Sequence, residues 1–181
     1  MRHYFAYRIS RNANWLCGAG NDCTNFVSQC LHAGGMIYLG NILTRTENGT
    51  WRYDTLLNKY YASYTWGGAD NFAWHWGHDP NGVGQQRAYM TVIYPNAQAA
   101  LDDYDNFVFP NFFDGDVVQT ASSTGVSHTM IIHDQFEQTE FYNPDMYLAQ
   151  HTNNRVEKSL YEMLTIYRND PNTMFIFHRI K

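Results

Sequence analysis

The chain has 181 residues, enough to bury a core without disulfides or metal, and is most simply one domain over residues 1–181. Its 12 Lys and Arg against 17 Asp and Glu leave a net charge of −5 with no basic run, which argues against nucleic acid and against an anionic membrane surface as partners. Aromatic residues make up 17% of the chain, more than a core of this size needs, so some are expected to line a groove or an interface.

No apolar run approaches the roughly 18 residues of a membrane span. The start, Met1-Arg2-His3-Tyr4-Phe5-Ala6-Tyr7, lacks the apolar core of a signal peptide, so the chain reads either as intracellular or as one whose leader has been removed. Cys17, Cys23 and Cys30 are an odd set, which argues against a disulfide framework, and their spacing matches no common zinc pattern. At most Cys17 pairs with Cys30, leaving Cys23 free.

In chain order, residues 1–22 are aromatic and polar, with Gly18-Ala19-Gly20 as a flexible approach to Cys23 and with Tyr7 and Trp15 as candidate walls of a site. Asp22 and Thr24 are helix-starting residue types, whose side-chain oxygens accept from first-turn amides. Phe26, Val27, Cys30 and Leu31 then form one apolar stripe, and Gly34-Gly35 supplies a stop. Cys23 thus lies at a helix N-terminus, where free amides and the macrodipole favour an anion and a thiol loses its proton more easily. A small buried hydrophobe beneath a helix is the competing reading.

Met36 to Leu43 is a short apolar stretch and Thr44 to Thr50 a polar loop carrying the sequon Asn48-Gly49-Thr50. The segment from Trp51 to Trp76 is rich in tryptophan, with a turn expected at Tyr64–Gly68. His75 and His78 near Asp79 hint weakly at a metal, but helical HExxH-type spacing is missing. Asp79 to Gly84 is a turn by composition. Pro95 to Phe107 reads as a helix with Asn96 as its N-cap.

Strands follow. Gly115 to Thr120 is a turn feeding one strand and Val126 to His133 a second, with His128, Met130 and Ile132 on one side and Thr129, Ile131 and His133 on the other. Glu140–Tyr142 and Met146–Thr152 are further strands, a helix is expected around Lys158–Tyr167, and Thr173 to Ile180 closes the chain. A helix first and antiparallel strands later argue for an α+β fold.

A thiolate nucleophile needs a base and a group that orients the base. His128, on a strand next to an apolar face, is placed to meet a helix packed on that sheet. On an antiparallel neighbour His151 can come beside it and hold its ring; an ordinary surface or core histidine is the competing reading for each. His32 lies about 13 Å along the helix from Cys23 and is too far to act as base.

The run Asp22-Cys23-Thr24-Asn25-Phe26-Val27-Ser28-Gln29-Cys30-Leu31, with Ala33-Gly34-Gly35, resembles the signature of the bacterial putative amidase domain family, which is similar to NlpC-type cysteine peptidases of the papain-like superfamily. Ser63-Tyr64-Thr65-Trp66, Gly115-Asp116-Val117-Val118-Gln119, Ser127-His128-Thr129-Met130-Ile131-Ile132 and His151-Thr152-Asn153-Asn154-Arg155 resemble further segments of that family in the same order. Val126 stands where the family often has an aromatic residue. Residues 67–110 look longer than the family pattern and read as an insertion. Tyr7 is a weak match to a tyrosine near the oxyanion hole of NlpC-type enzymes.

The resemblance implies a papain-like, NlpC-type α+β fold, with the Cys-bearing helix packed on an antiparallel sheet. It implies Cys23 as nucleophile, His128 as base and His151 as orienting residue, with Asn143 as its rival, and Asp22 and Trp66 in oxyanion or substrate binding. Neither a metal nor a cofactor is expected. The implied substrate is a peptide or peptidoglycan-like amide, the implied location secreted or cell-surface, and an inhibitor or immunity protein a conceivable partner. The same Cys–His pair would serve an acyltransferase or a protein deamidase, including a toxin. A non-catalytic glycan or peptide module built on Trp66 and Trp74 is the third reading.

Overall fold

The computed structural model describes residues 22–56, 59–78, 82, 84–136, 144–151 and 155–180. Tyr7, Trp15, Cys17, Asp79, Asn143 and the strand expected at 140–142 lie outside the described residues.

Helix α1 spans Cys23–Ala33. It stops where Gly35 takes φ 103°, and the Gly34 and Met36 amides donate back to Cys30 and Leu31 carbonyls at 2.9 and 3.0 Å. Its stripe of Phe26, Val27 and Leu31 is buried, each side chain contributing about 1.5–3 kcal/mol. Asp22 is the N-cap residue, yet its carboxylate bonds no amide of the helix.

After α1, strands β1 (Tyr53–Leu56) and β2 (Lys59–Ala62) form a two-stranded antiparallel hairpin. The turn expected at 64–68 is a single helical turn, α2 (Tyr64–Gly67), followed by α3 (Ala69–Trp76). Trp51, Trp66 and Trp76 are all buried, and together with Phe72 they pack against the α1 stripe. Much of the aromatic excess therefore forms a pillar under the helix.

The main sheet has six antiparallel strands in the order β3-β8-β4-β5-β6-β7: β3 (Met90–Tyr94), β4 (Val117–Ser122), β5 (Gly125–Phe136), β6 (Asp145–Gln150), β7 (Arg155–Ser159) and β8 (Met174–Arg179). Sequence patterning places no strand at β3, which completes one edge by pairing with β8. Helix α4 (Ala97–Asp102) is capped as expected, with Asn96 Oδ1 accepting from the Ala99 amide at 2.9 Å. The short helix α5 (Phe109–Asn111) precedes β4, and α6 (Leu160–Tyr167) follows β7. The fold is mixed α+β with antiparallel sheets.

Strand alternation splits the core in two. Val117, Ile131 and Ala149 face α1 and the tryptophan pillar, whereas Val118, Met130, Ile132, Met146 and Leu148 pack with α4 and α6. Two carboxylate braces, Asp116 buried and Asp145 half-buried, tie the ends of elements. Asp116 accepts from the Phe113 and Ile180 amides, each at 2.8 Å. Asp145 accepts from Tyr104 Oη at 2.9 Å, from the Ser159 hydroxyl, and from the Met146 and Tyr161 amides at 2.7 and 3.1 Å.

Candidate active site

Cys23 opens α1, and its sulfur lies at the edge of the main sheet where β6 leaves β5. The last pair of that ladder is Ile131 with Ala149. The Ile132 amide points to β4, donating to the Asp116 carbonyl at 2.8 Å, so the odd-numbered amides of β5 point the other way. Beyond Ile131 the next such amide, Thr129, donates to the Cys23 sulfur. The Thr24 hydroxyl lies 3.8 Å from the same sulfur.

His128 hydrogen-bonds the thiol from the neighbouring position on β5. Its Nε2 lies 2.8 Å from Gln150 Oε1. A carboxamide oxygen only accepts, so Nε2 carries a proton and Nδ1 is the nitrogen left to face the sulfur.

Burial pushes the Cys23 thiol up. The hydrogen bond and charge of His128 pull it down, with the Thr129 amide and Thr24 hydroxyl assisting, and the balance brings it from 9.0 to about 7. For His128, burial lowers the pKa, while the hydrogen bond and charge of Cys23 and then the bond to Gln150 raise it, with a smaller lowering from Lys158; the net shift is upward. Both shifts run toward a thiolate–imidazolium pair. Cys30 is different: burial pushes its thiol up to about 12, away from reactivity at neutral pH.

The other expected residues are placed as follows. His151 is not on the His128 ring. Its Nδ1 lies 2.7 Å from Asp22 Oδ2, off the line of a hydrogen bond, and its ring stacks on Phe26 at 5.6 Å. The group on His128 is Gln150, one residue earlier. Gln150 is the last residue of β6 and the chain turns at His151, which takes the His151 ring to the Asp22 and Phe26 side instead. Gln150 shares strand parity with Met146 and Leu148, as His128 does with Met130 and Ile132. That parity is legible in the sequence.

Asp22 acts on side chains. Its Oδ1 accepts from Asn25 Nδ2 at 2.6 Å, and Asn25 Oδ1 accepts from the Trp66 indole at 2.7 Å. Trp66 is 0% exposed, so it reaches the site from behind and presents no face to a ligand. It steadies the first turn of α1 through Asn25 and Asp22. Trp51 does the same further along, donating to Ser28 Oγ at 3.0 Å. Trp74 is half-buried.

Among the described residues no group of three or more His, Cys, Asp and Glu side chains could hold a metal, and no helix is long and apolar enough to cross a membrane. His75 is buried, with Nδ1 at 2.6 Å from the Asn48 carbonyl, and burial pushes it down to about 4. The arrangement at Cys23 can carry out nucleophilic attack on an acyl carbon, with proton transfer by one imidazole.

Residues 3–178 match a family model described as the putative amidase domain. No curated protein and no solved structure matches the chain.

Proposed function

The chain belongs to the putative amidase domain family, an assignment to amide hydrolysis at the general level, and on that premise we propose that it is a cysteine amidase with Cys23 as nucleophile and His128 as acid–base. The observation that carries the reading is the hydrogen-bonded Cys23–His128 pair, in which each partner shifts the other toward its charged form.

In the proposed cycle His128 Nδ1 takes the thiol proton, and the sulfur attacks the carbonyl carbon of the substrate amide. The Cys23 backbone amide, at the start of α1, donates to the oxyanion. The C–N bond breaks as Nδ1–H passes its proton to the leaving nitrogen, giving a thioester and a free amine. His128 then takes a proton from water, whose oxygen attacks the thioester; the acid leaves and the thiol is restored. Gln150 holds Nε2–H throughout, so the ring keeps one orientation and one reactive nitrogen.

A papain-like, NlpC-type affiliation, suggested by the Asp22–Gly35 motif, suits a reactive cysteine at a helix start above an antiparallel sheet. The substrate class proposed with it is a peptide or peptidoglycan-like amide, met outside the cell or at its surface.

The test is the rate of iodoacetamide labelling of Cys23 against pH, read by peptide mass spectrometry, in the wild type and His128→Ala. The wild type should titrate near 7, and the variant should move toward the free-thiol value of about 8.5. Identical profiles in the two proteins would remove the pair and the reading with it.

A further inference from the structure

One line of polar side chains, all buried but the half-buried Thr91, crosses four adjacent strands on the face that α1 covers, and it ends beside the nucleophile. Thr91 on β3 lies 3.2 Å, through Oγ1, from Nδ1 of His178 on β8. His178 Nε2 lies 2.8 Å from Oε1 of Gln119 on β4. Gln119 Nε2 donates to Oγ1 of Thr129 on β5 at 2.9 Å. Thr129 Oγ1 lies 2.8 Å from Oγ1 of Thr24 on α1. Thr24, Gln119, Thr129 and His178 are all buried, where a polar group needs a partner and each bond polarises the next.

The direction of the links through Gln119 and His178 follows from chemistry. The Ala69 carbonyl, 3.2 Å from Gln119 Nε2, only accepts, which fixes the amide nitrogen on that side and turns Oε1 to His178. His178 Nε2 must then carry the proton. Burial, with a further push from His78, lowers His178 to about 3, so the ring is neutral with a single N–H, and Nδ1 accepts from Thr91. Thr129 Oγ1 accepts from Gln119, and the direction that continues this order sends the Thr129 proton to Thr24 and the Thr24 proton to the sulfur.

Gly77 leaves room for the far end. A Cβ there would lie 2.1 Å from Thr91 Oγ1 and 2.5 Å from His178 Nδ1.

We propose that Thr91, His178, Gln119 and Thr129 are positioning residues that form a directional donor line, holding the Thr24 hydroxyl aimed at Cys23 sulfur and so favouring the thiolate. The inference rests on the reading of Cys23 as nucleophile. It makes Thr24 a contact of the reacting atom and ties the reactivity of the thiol to a histidine two strands away from β5.

The experiment is the pH profile of Cys23 labelling in the wild type, Thr24→Val, Thr24→Ser, Thr129→Val and Thr129→Ser, with thermal unfolding as the check of fold. Thr24→Val should raise the apparent pKa by roughly half a pH unit or more, because a hydrogen bond to the charged form is lost. Thr24→Ser and Thr129→Ser should keep the wild-type profile, and Thr129→Val should shift it in the same direction as Thr24→Val. An acidified wild type with an unmoved Thr24→Val overturns the donor line while leaving the Cys–His reading intact. A shift in Thr24→Val with a folded, unmoved Thr129→Val overturns the relay. An ordinary thiol profile in the wild type removes the site reading and this inference together.

Nitrogen NMR of His178 in the wild type tests the far end independently of any variant. A neutral ring protonated at Nε2 between pH 5 and 8 supports the stated direction, and protonation at Nδ1 overturns it.

Discussion

Gln150 Oε1 accepts from His128 Nε2–H at 2.8 Å, so the residue that orients the proposed base is a carboxamide and not the adjacent histidine. An amide can hold an imidazole by one neutral hydrogen bond, and it adds no charge that would compete with the thiolate for the imidazolium. The His151 ring serves the other side of the site, packed between Phe26 and Asp22.

Gln150→Ala should therefore lower kcat by about tenfold or more, since it loosens the group that supplies acid–base catalysis. His151→Ala should cost less activity and should act mainly through the stability of the α1 start. Hydrolysis kinetics on a peptide amide, compared at matched folded fractions, checks the order. A larger kcat loss for His151→Ala than for Gln150→Ala would reverse the assignment of the orienting residue.

The protein should lose stability below pH 6.5. His75 and His178 are buried and neutral, with pKa values pushed down to about 4 and about 3 by burial. Unfolding restores both to the ordinary 6.5, so the unfolded chain binds more protons at any pH between. Their contribution is fully present above 6.5 and falls, once well below it, by about 1.4 kcal/mol per pH unit for each histidine. Urea unfolding at pH 7, 6 and 5 reads this before most carboxylates titrate; a flat midpoint over that range would contradict it.

Trp66→Phe should keep most of the packing and remove the indole donor to Asn25. Leaving a buried acceptor without its partner costs about 1–3 kcal/mol. Because Asn25 in turn holds Asp22, the loss should appear both as a lower Tm and as faster hydrogen exchange in the first turn of α1. A drop in Tm with unchanged exchange there would mean that Trp66 only fills space.

Asp145→Ala should destabilise the fold by about 1.5–3 kcal/mol or more, because hydrogen bonds to a charged acceptor are the strong ones and four donors converge on it. Tyr104, whose ionisation burial and then Asp145 oppose, would be left as a buried hydroxyl without its acceptor. Cys23 labelling in the folded fraction should be unaffected, since the brace lies where Tyr104, β6 and the start of α6 meet.

Much of this was legible from sequence where one local rule decides. The apolar stripe of α1, its glycine stop, the Asn96 cap and the alternation along β5 each need only a few neighbouring residues. The partner of His128 and the place of the tryptophans needed more. Trp66 looks like a ligand platform until the α1 stripe is seen to require a partner, and Gln150 rather than His151 meets His128 because β6 ends at Gln150 and the chain turns at His151. The donor line from Thr91 to Thr24 joins residues whose only link is strand order, which no local pattern states. Asp22 is the instructive case for capping: a good cap residue by type, it is drawn off the helix amides by Asn25 and His151.

The Thr129 amide is a ladder donor spent on sulfur. By the β5–β6 register its next strand partner would be the His151 carbonyl, but β6 ends at Gln150 and the chain turns at His151. Strand pairing and the Cys23 sulfur are thus rivals for one N–H. One more rung on this hairpin would zip the sheet shut across the thiol, so the length of β6 is itself a gate on the proposed chemistry, set by where a strand stops.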